Sequence, residues 1–294
     1  MKRDAEAHSD LVHPIESVLT NWIYKPSFPS IAAVRHRIPA RWTRQPFPAS
    51  SVLKPPLSKG NWILYFMFLP NGALTAAHRF TLDRLARESA SLMIVCACPE
   101  GHPVLEELGR QCDALCWKNL AGYDFSGYSV GLYALARECP GSNVFILNDS
   151  MLGPFCALTP FIEHAPWRLT GLTASSLEEN HLQSFSLIVR GLDSEFLNAV
   201  APVISDKWCY HTASAVILLQ ETRLARVASR SMTVGAYWYT DGSKYRDLTL
   251  FCPEQLLDAG FPLLKKSLFG KFAGVFQPPA AMYALLERLG HPVV

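Results

Sequence analysis

Residues with the chemistry of a ligand site follow a short apolar segment near the middle of the chain. Residues 144–147, Val-Phe-Ile-Leu, predict a buried strand because β-prone residues lie between turn signals. Asn148, Asp149 and Ser150 come next, and open α/β sheets bind ligands at the carboxyl ends of their strands. The Asp149 carboxylate can therefore hold a divalent metal, which in turn binds a substrate's diphosphate. The alternative is that Asp149 and Ser150 only form the turn before Gly153.

A glycine-rich segment, residues 119–131, opens a predicted helix. Gly122, Gly127 and Gly131 are costly for helix formation, which is explained if a ligand must approach the backbone closely. A helix N-terminus binds phosphate through its free N–H groups and its dipole, and Asp124 is the predicted N-cap. Tight packing of the helix on the sheet explains the glycines equally well. The residues predicted to lie near a nucleotide or sugar are Gly122, Tyr123, Asp124 and Phe125.

Two further segments carry candidate groups. His181 and Gln183 have the same parity on a predicted strand, so they are expected on one face, where they suit sugar hydroxyls or a phosphate. Glu178, Glu179 and His181 are candidate general bases for an acceptor hydroxyl. An exposed charged loop followed by a satisfied histidine is the alternative. Lys265 belongs to a lysine pair that can contact a diphosphate, although such pairs are more often only solvated.

The elements that must position these residues alternate between strands and helices. Continuous apolar segments predict strands at 62–69, 92–98, 114–117 and 144–147, and helical periodicity predicts helices at 75–89, 104–112 and 125–138. This alternation is typical of a parallel sheet with crossover helices, and continuous rather than alternating apolar strands indicate a sheet covered on both faces. In the second half, the main predicted elements are a strand at 182–189 and helices at 195–203, 212–228 and 280–289.

We therefore predict an α/β fold with a mostly parallel sheet and helices on both faces. Residues 1–58, rich in proline and arginine, are expected to form an irregular leader. Residues 59–294 are expected to form one domain, with a donor half at about 59–155 and an acceptor half at about 156–294. The arginines at 35–44 are expected to form a solvated face, and docking to anionic lipid or a partner is the less favoured alternative.

Composition excludes several classes of protein. The chain has 294 residues, 49% of them hydrophobic, and a net charge of +2, which does not suggest a nucleic-acid binder. Its eight cysteines are expected to be buried free thiols, which favours a cytoplasmic location. No secretory signal and no apolar run of transmembrane length is present, so at most a peripheral association with a membrane is expected. The motifs of serine hydrolases, P-loop NTPases, zincins and dinucleotide binders are also absent.

The candidate segments together resemble the rhamnan synthesis protein F family, bacterial glycosyltransferases of surface-polysaccharide assembly. The matching stretches are residues 119–132, 147–154, 169–185 and 261–267, with Glu221 and Leu224 between the last two. They occur in the expected order between about residues 61 and 270. The leader lies outside the resemblance.

The resemblance implies a glycosyltransferase of GT-A type that transfers a deoxyhexose such as rhamnose from a nucleotide-sugar donor to a glycan or lipid-linked glycan acceptor. It also implies a divalent metal, Mg²⁺ or Mn²⁺, bound by a D-x-D motif at a strand end. Here that position reads Asn148-Asp149-Ser150, with one carboxylate, and Thr170 stands where the family has tryptophan. The residues implied on the donor side are Gly122, Tyr123, Asp124, Phe125, Asn148, Asp149, Gln183 and Lys265.

Two other classes of protein compete with this prediction. A non-catalytic glycan-assembly or sugar-binding subunit that keeps the fold is favoured by the single carboxylate at Asp149. An S-adenosylmethionine-dependent methyltransferase is disfavoured because no glycine-rich loop follows the predicted strand at 62–69.

Overall fold

A computed structural model describes residues 19–57, 60–241 and 247–292. Its strands are β1 (Leu19–Ile23), β2 (Arg44–Pro46), β3 (Ser50–Lys54), β4 (Asn61–Phe68), β5 (Ser91–Ala97), β6 (Ala114–Lys118), β7 (Ser142–Asn148), β8 (Met151–Leu152), β9 (Leu169–Ser175), β10 (His181–Leu182), β11 (Ser186–Leu192), β12 (Trp208–Tyr210), β13 (Val234–Thr240) and β14 (Leu264–Lys265). Its helices are α1 (Ile31–Ala40), α2 (Ala76–Leu85), α3 (Val104–Gly109), α4 (Asp124–Glu138), α5 (Thr159–Glu163), α6 (Ser194–Val200), α7 (Ala213–Val216), α8 (Thr222–Ala228), α9 (Leu248–Phe251), α10 (Pro253–Asp258) and α11 (Pro279–Arg288).

The central sheet has the strand order β1-β13-β9-β11-β7-β4-β5-β6-β3. Strands β7, β4, β5 and β6 are mutually parallel, and β13 is parallel to β9. Strand β11 is antiparallel to both of its neighbours, so β9 and β13 run in the same direction as β7. Only β11 and the edge strands β1 and β3 run in the opposite direction along this path. The predicted mostly parallel sheet is confirmed.

Helices cover both faces of the sheet, as predicted. Along β4 the side chains alternate: Trp62, Leu64 and Phe66 belong to one apolar cluster, and Ile63, Tyr65 and Met67 belong to another. The first cluster includes side chains of α4, α6 and α8, and the second includes side chains of α2, α3, α5 and α10. Each strand residue at the centre therefore packs under a helix, which explains the continuous apolar segments.

The leader is more regular than expected. Strand β1 pairs with β13 and forms one edge of the sheet, and β3 pairs with β6 and forms the other. Helix α1 lies between them in the chain. Edge strands expose one side and tolerate proline, so they lack the apolar pattern that reveals central strands. The boundary at residue 58 stays a prediction, and residues 1–18 of the leader lie outside the described part.

Elsewhere the predicted elements agree with the structure except in the second half. The strand expected at 182–189 is divided into β10 and β11, which both pair with β9. The helix expected at 212–228 is interrupted by a π-helical segment, Ile217–Glu221. Strand β13 had no predicted counterpart. Seven of the eight cysteines are buried free thiols, and Cys156 is exposed.

Candidate active site

The order of the sheet strands reverses beside β4. The chain adds β5 and then β6 on one side of β4, and afterwards places β7 on the other side. Because β4 and β7 are parallel, their carboxyl ends lie together at this reversal. Open α/β sheets bind ligands in the crevice outside such a switch point.

A cavity of about 450 Å³ lies at this switch point. We call it the switch-point cavity, and its lining residues are Phe66, Phe68, Leu120, Ala121, Gly122, Tyr123, Asp124, Asn148, Asp149, Ser150 and His211. The two predicted segments, the glycine-rich helix start and the strand end at 148–150, therefore meet in one place. Phe125 is the exception, because its side chain is buried in the apolar core behind the cavity.

Asp149 bridges the ends of the two central strands. Its Oδ2 accepts a hydrogen bond from the backbone N–H of Phe68 at 2.8 Å, and its own N–H donates to the carbonyl of Phe66 at 3.1 Å. The buried His78 places Nε2 at 3.7 Å from the same Oδ2. These contacts fix the carboxylate at the cavity wall, so Asp149 does more than form the turn that we considered as the alternative.

Asn148 connects Asp149 to helix α4. Its Nδ2 donates to Oη of Tyr128 at 2.9 Å and to Oδ2 of Asp124 at 3.2 Å, and its Oδ1 accepts from the N–H of Ser150 at 3.2 Å. The amide is thus held from both sides. Its role is to orient the carboxylate of Asp124 towards the strand end.

Asp124 is the first residue of α4, and Tyr123 occupies the N-cap position without a side-chain cap, so the predicted N-cap is wrong by one residue. Asp124 Oδ1 accepts from the N–H of Phe125 at 2.9 Å. Burial, and then the negative charge of Glu221, raise the pKa of Asp124 to about 7. Asp149 adds a smaller contribution in the same direction. Burial and these neighbouring charges therefore favour the protonated form of Asp124.

Two glycines of this segment allow close packing of the helix, and a third lines the cavity. A Cβ on Gly127 would lie 2.2 Å from the ring of Phe66, and a Cβ on Gly131 would lie 2.3 Å from Leu64. These two glycines allow α4 to pack closely on β4. Gly122 differs, because its φ of +76° favours glycine and it lines the cavity. Its N–H donates to Nδ1 of His211 at 3.2 Å.

A second cavity, of about 550 Å³, gathers most of the remaining predicted residues. We call it the His181 cavity, and its lining residues are Ser175, Leu177, Glu178, His181, Gln183, Phe185, Ile217, Glu221, Thr222, Asp247, Leu250, Phe251, Lys265, Phe272 and Phe276. His181 and Gln183 line the same cavity, as their spacing predicted. The donor-side group predicted from the resemblance is therefore divided, with Gln183 and Lys265 in this second cavity.

The polar groups of the His181 cavity are already hydrogen-bonded to the protein. Glu178 Oε2 accepts from Oγ of Ser30 at 2.6 Å, and Gln183 Oε1 accepts from Oγ1 of Thr173 at 2.7 Å. His181 Nδ1 lies 2.7 Å from the carbonyl oxygen of its neighbour two residues earlier. A carbonyl only accepts, so Nδ1 donates this hydrogen bond, and in the neutral imidazole the lone pair is then on Nε2.

Glu179 lies outside both cavities. Its carboxylate is buried and forms ion pairs with Arg37 of α1 and Arg226 of α8. Arg37 also donates to the carbonyl of Leu218 at 2.9 Å. Two guanidinium groups hold this carboxylate in place, so it ties the leader to the domain. The prediction that Glu179 acts as a base lacks the cavity position that a base requires.

Lys265 forms a partly buried ion pair inside the His181 cavity. Its Nζ donates to Oδ2 of Asp247 at 2.7 Å and lies 5.2 Å from the ring centre of Phe185. Burial acts to raise the pKa of Asp247, but Lys265 and the Thr249 hydroxyl outweigh burial and lower that pKa. The lysine predicted to contact a diphosphate is therefore already neutralised by an aspartate.

A chain of hydrogen bonds joins the two cavities. Asn148 bonds Asp124 and Tyr128, and the Tyr128 hydroxyl donates to the carbonyl of Ser184 at 2.9 Å. Ser184 in turn donates to the carboxylate of Glu221 from its hydroxyl and, at 3.2 Å, from its N–H. Glu221 ends the π-helical segment and lines the His181 cavity. π-helical turns occur frequently at functional sites.

Sequence reasoning gave no role to four residues at these cavities. His211, Asp247 and Glu221 line them, and Lys118 is fully buried at the end of β6. Burial lowers the pKa of Lys118 to about 8, and its Nζ donates to the carbonyls of Asn119 and Ala121 at 2.9 and 2.8 Å. The available signals were a lysine directly after an apolar strand and the place of Glu221 in the sequence resemblance, which gave it no role.

The switch-point cavity can hold a divalent cation only if substrate phosphates supply part of the coordination. Within the described residues no group of three His, Cys, Asp or Glu side chains could hold a metal by itself. Asp149 and Asp124 line the same wall, and Mg²⁺ often binds through one or two carboxylates together with substrate phosphates. The residues present fit that mode.

The comparisons with known proteins give no family. No protein-family model and no curated protein matches the chain, so membership of the rhamnan synthesis F family stays a prediction. Among solved structures, the chain is similar to a Desulfovibrio desulfuricans protein described as a nucleotide-diphospho-sugar transferase, with 12% identity, 79% of this chain and 97% of that chain covered, and a TM-score of 0.36.

Two further similarities concern S. aureus TarS and the mannosyltransferase PcManGT of Pyrobaculum calidifontis, which was solved with GDP-Man and Mn²⁺. TarS has 12% identity, 72% of each chain covered and a TM-score of 0.37. PcManGT has 13% identity, 88% of each chain covered and a TM-score of 0.38. At these scores the similarities carry no argument about activity, and the assignment of function rests on the cavities.

Proposed function

We propose that this protein is a glycosyltransferase that binds a nucleotide-diphosphate sugar in the switch-point cavity. The observation that carries the proposal is the meeting of Asp149, at the end of β7, with the backbone around Gly122 at the start of α4. A strand-end carboxylate and an open glycine backbone at a switch point suit a cation-bound diphosphate beside a nucleotide. Tyr123 is 42% exposed and is available to stack on a base or sugar.

Residues of this chain supply positioning and proton transfer. Asp149 would hold a Mg²⁺ or Mn²⁺ ion, which when bound neutralises the charge that develops on the leaving diphosphate. Asn148 keeps Asp124 directed at the same wall. Of the three predicted bases, His181 fits best because it lines the cavity and the hydrogen bond from Nδ1 leaves Nε2 as the lone-pair nitrogen of the neutral imidazole. Glu178 lines the same cavity and is the second choice.

The His181 cavity is proposed to receive the acceptor. Phe185, Phe251, Phe272 and Phe276 line it, and aromatic rings suit the apolar faces of sugars. A deoxyhexose such as rhamnose as the transferred sugar, and a growing bacterial surface glycan or lipid-linked glycan as the acceptor, are proposed from the sequence resemblance. A position at the cytoplasmic side of the inner membrane is proposed on the same basis.

A non-catalytic sugar-binding subunit is the second candidate. It is favoured by the single carboxylate in Asn148-Asp149-Ser150 and by the Asp247–Lys265 pair, which neutralises the predicted diphosphate-binding lysine. Such a protein would bind a glycan in the His181 cavity without needing a nucleotide-sugar donor.

Thermal unfolding with a panel of nucleotide sugars, with and without Mg²⁺ or Mn²⁺, tests the transferase proposal. A donor present at 100 times its Kd should add about 2.7 kcal/mol to the free energy of unfolding. Asp149→Asn, which can keep the hydrogen bond from Phe68 but loses the charge, should abolish that stabilisation. Asp83→Asn, at an exposed aspartate of α2, is the matched control and should leave it unchanged.

The outcomes separate the two candidates. If no nucleotide sugar stabilises the wild type, the proposal of a donor site is wrong. Stabilisation by free oligosaccharides alone, lost in Gln183→Ala and kept in Asp149→Asn, would establish the binding subunit instead.

A further inference from the structure

Helix α1 presents an apolar face that nothing in the described chain covers. The helix packs on the domain through Ala33, Ala40 and Arg37, whose guanidinium bonds the carbonyl of Leu218 and the hydroxyl of Thr222, each at 2.9 Å. At about 100° per residue, the opposite side of the helix is formed by a different set of residues. This α1 apolar face consists of Ile31, Val34, Ile38 and, in the 3₁₀ turn that follows, Trp42.

The exposure of this face is high. Ile31 is 78% exposed, Ile38 is 62% exposed and Trp42 is 86% exposed. Phe28, just before the helix, is 98% exposed and extends the same apolar segment. A contiguous group of large exposed apolar side chains, unlike single ones, marks an interaction surface.

Cationic side chains border the face on both sides. The helical rotation places Arg35 next to one side of the apolar residues and Arg41 next to the other. Within the described residues, neither arginine forms an ion pair. The sequence contains no aspartate or glutamate between Glu16 and Asp83, so the segment that carries this face has no negative charge of its own.

The neighbouring side chains add to this positive potential. Arg44 stacks on the ring of Trp208, with its guanidinium carbon 4.4 Å from the ring centre. Burial, together with the charges of Arg37 and Arg41, lowers the pKa of Arg223. Arg41 therefore lies close enough to other cationic side chains to interact with them electrostatically.

We propose that the α1 apolar face docks on a lipid bilayer with anionic headgroups, and that Arg35 and Arg41 lie among those headgroups. Apolar side chains bordered by basic residues on a helix are typical of interfacial membrane helices. No helix among the described residues is long and apolar enough to cross a membrane, so this contact is one of docking on the surface.

The docking surface adjoins the His181 cavity. Ser30, the N-cap of α1, accepts from the N–H of Ala33 and donates to Glu178, which lines the cavity. Leu177 and Ile217, also lining residues, are 49% and 46% exposed. Docking itself does not rest on the proposed transferase activity. If that activity holds, docking would bring the cavity next to acceptors carried on lipid.

Trp42 provides a direct readout of docking. Five of the other six tryptophans are at most 8% exposed and Trp208 is partly buried, so aqueous iodide should quench mainly Trp42. Vesicles of phosphatidylcholine mixed with phosphatidylglycerol should sediment the full-length protein and protect this fluorescence. Vesicles of phosphatidylcholine alone should do neither. Trp42→Phe should remove the quenchable signal, which assigns it to this residue.

Matched variants test the two parts of the surface. Ile38→Asp should weaken vesicle binding by about tenfold or more, because it places a charge in the apolar face. The double change Arg35→Glu with Arg41→Glu should also weaken binding by about tenfold or more, since each Lys or Arg near an anionic surface contributes about 1 kcal/mol. Val275→Asp, at a residue that is 64% exposed, and Arg110→Glu are the controls and should bind as the wild type does. Circular dichroism checks that all variants are folded.

Three results would overturn the proposal. The first is wild-type protein that stays in the supernatant with anionic vesicles. The second is equal weakening by Ile38→Asp and its control Val275→Asp. The third is protection of Trp42 from iodide quenching without vesicles, together with a dimer in sedimentation velocity. A second copy of the chain would then cover the face. Nucleotide-sugar binding is measured separately, so failure of docking and failure of the transferase proposal are distinguishable.

Discussion

The two cavities each hold an aspartate, and the pKa values of these aspartates shift in opposite directions. In the switch-point cavity, burial and the charge of Glu221 raise the pKa of Asp124 to about 7. In the His181 cavity, Lys265 lowers the pKa of Asp247 against the effect of burial. Both carboxylates also accept a backbone N–H near the start of a helix, so helix position alone does not explain the difference. The neighbouring charges explain it.

The difference shows which cavity needs an external cation. Asp247 and Lys265 neutralise each other, so this aspartate of the His181 cavity needs no external cation. Asp124 and Asp149 share a wall without a paired lysine or arginine within the described residues. That wall requires a proton or a metal cation before it can accept a diphosphate.

Asp124→Asn should change how stability depends on pH in metal-free protein. The native pKa is about 7 and the unfolded value is near 3.8, so between these values the native state binds the proton more tightly. The free energy of unfolding therefore falls as pH rises from about 4 to 7 and is constant above, by up to about 4 kcal/mol from this group. Asp124→Asn should remove that fall in urea-unfolding measurements made with EDTA present.

The control for this experiment is Asp83→Asn, at an exposed ion pair, which should keep the wild-type pH profile. If the stability of Asp124→Asn depends on pH as the wild type does, the inferred charge difference between the cavities is wrong. Addition of Mg²⁺ together with a donor nucleotide should reduce the fall in the wild type, because bound cation favours the ionised carboxylate.

Lys265→Met should destabilise the protein by about 2 kcal/mol, because it leaves the partly buried carboxylate of Asp247 without its partner. The same change at Arg87, whose pair with Asp83 is exposed, should cost less than about 1 kcal/mol. Urea unfolding at neutral pH measures both. Equal costs for the two variants would mean that the Lys265–Asp247 pair is no stronger than an exposed ion pair.

Gly127→Ala should destabilise the protein by about 2 kcal/mol, because the new Cβ would lie 2.2 Å from the ring of Phe66 in the wall of the switch-point cavity. Gly109→Ala, at the end of α3, where a new Cβ would meet only Leu115 at an ordinary 3.6 Å, is the matched control and should be nearly neutral. Thermal unfolding compares them. A stable Gly127→Ala protein that loses donor binding would instead support a ligand contact at this glycine.

Much of the switch-point cavity was predictable from local sequence. The apolar segment before Asn148 identifies a central strand, and strand ends in such sheets are ligand positions. The glycine-rich start of α4 was also visible in the sequence. The sequence could not show that Gly127 serves packing and Gly122 lines the cavity, because the distance from Gly127 to Phe66 depends on a strand some sixty residues earlier. The shared parity of His181 and Gln183 did predict a shared cavity.

The residues that were missed or misassigned depend on distant partners. Glu179 resembled a free base in the sequence, but Arg37 and Arg226 approach it from segments far away in the chain. Asp247 and Glu221 likewise come to the His181 cavity from the second half. A carboxylate's role follows from the charges around it, and adjacent sequence does not contain them.

The sequence by itself determined the central strands, their crossover helices and the polar strand end at Asp149, because burial on both faces imposes an apolar pattern that is visible locally. Three features became visible only in the folded protein: the leader supplies both edge strands, the candidate residues divide between two cavities, and α1 has an apolar face that no described residue covers. Edge strands, ion pairs and uncovered faces are defined by what lies across a contact. Such contacts form between residues that are far apart in the chain, so no local pattern records them.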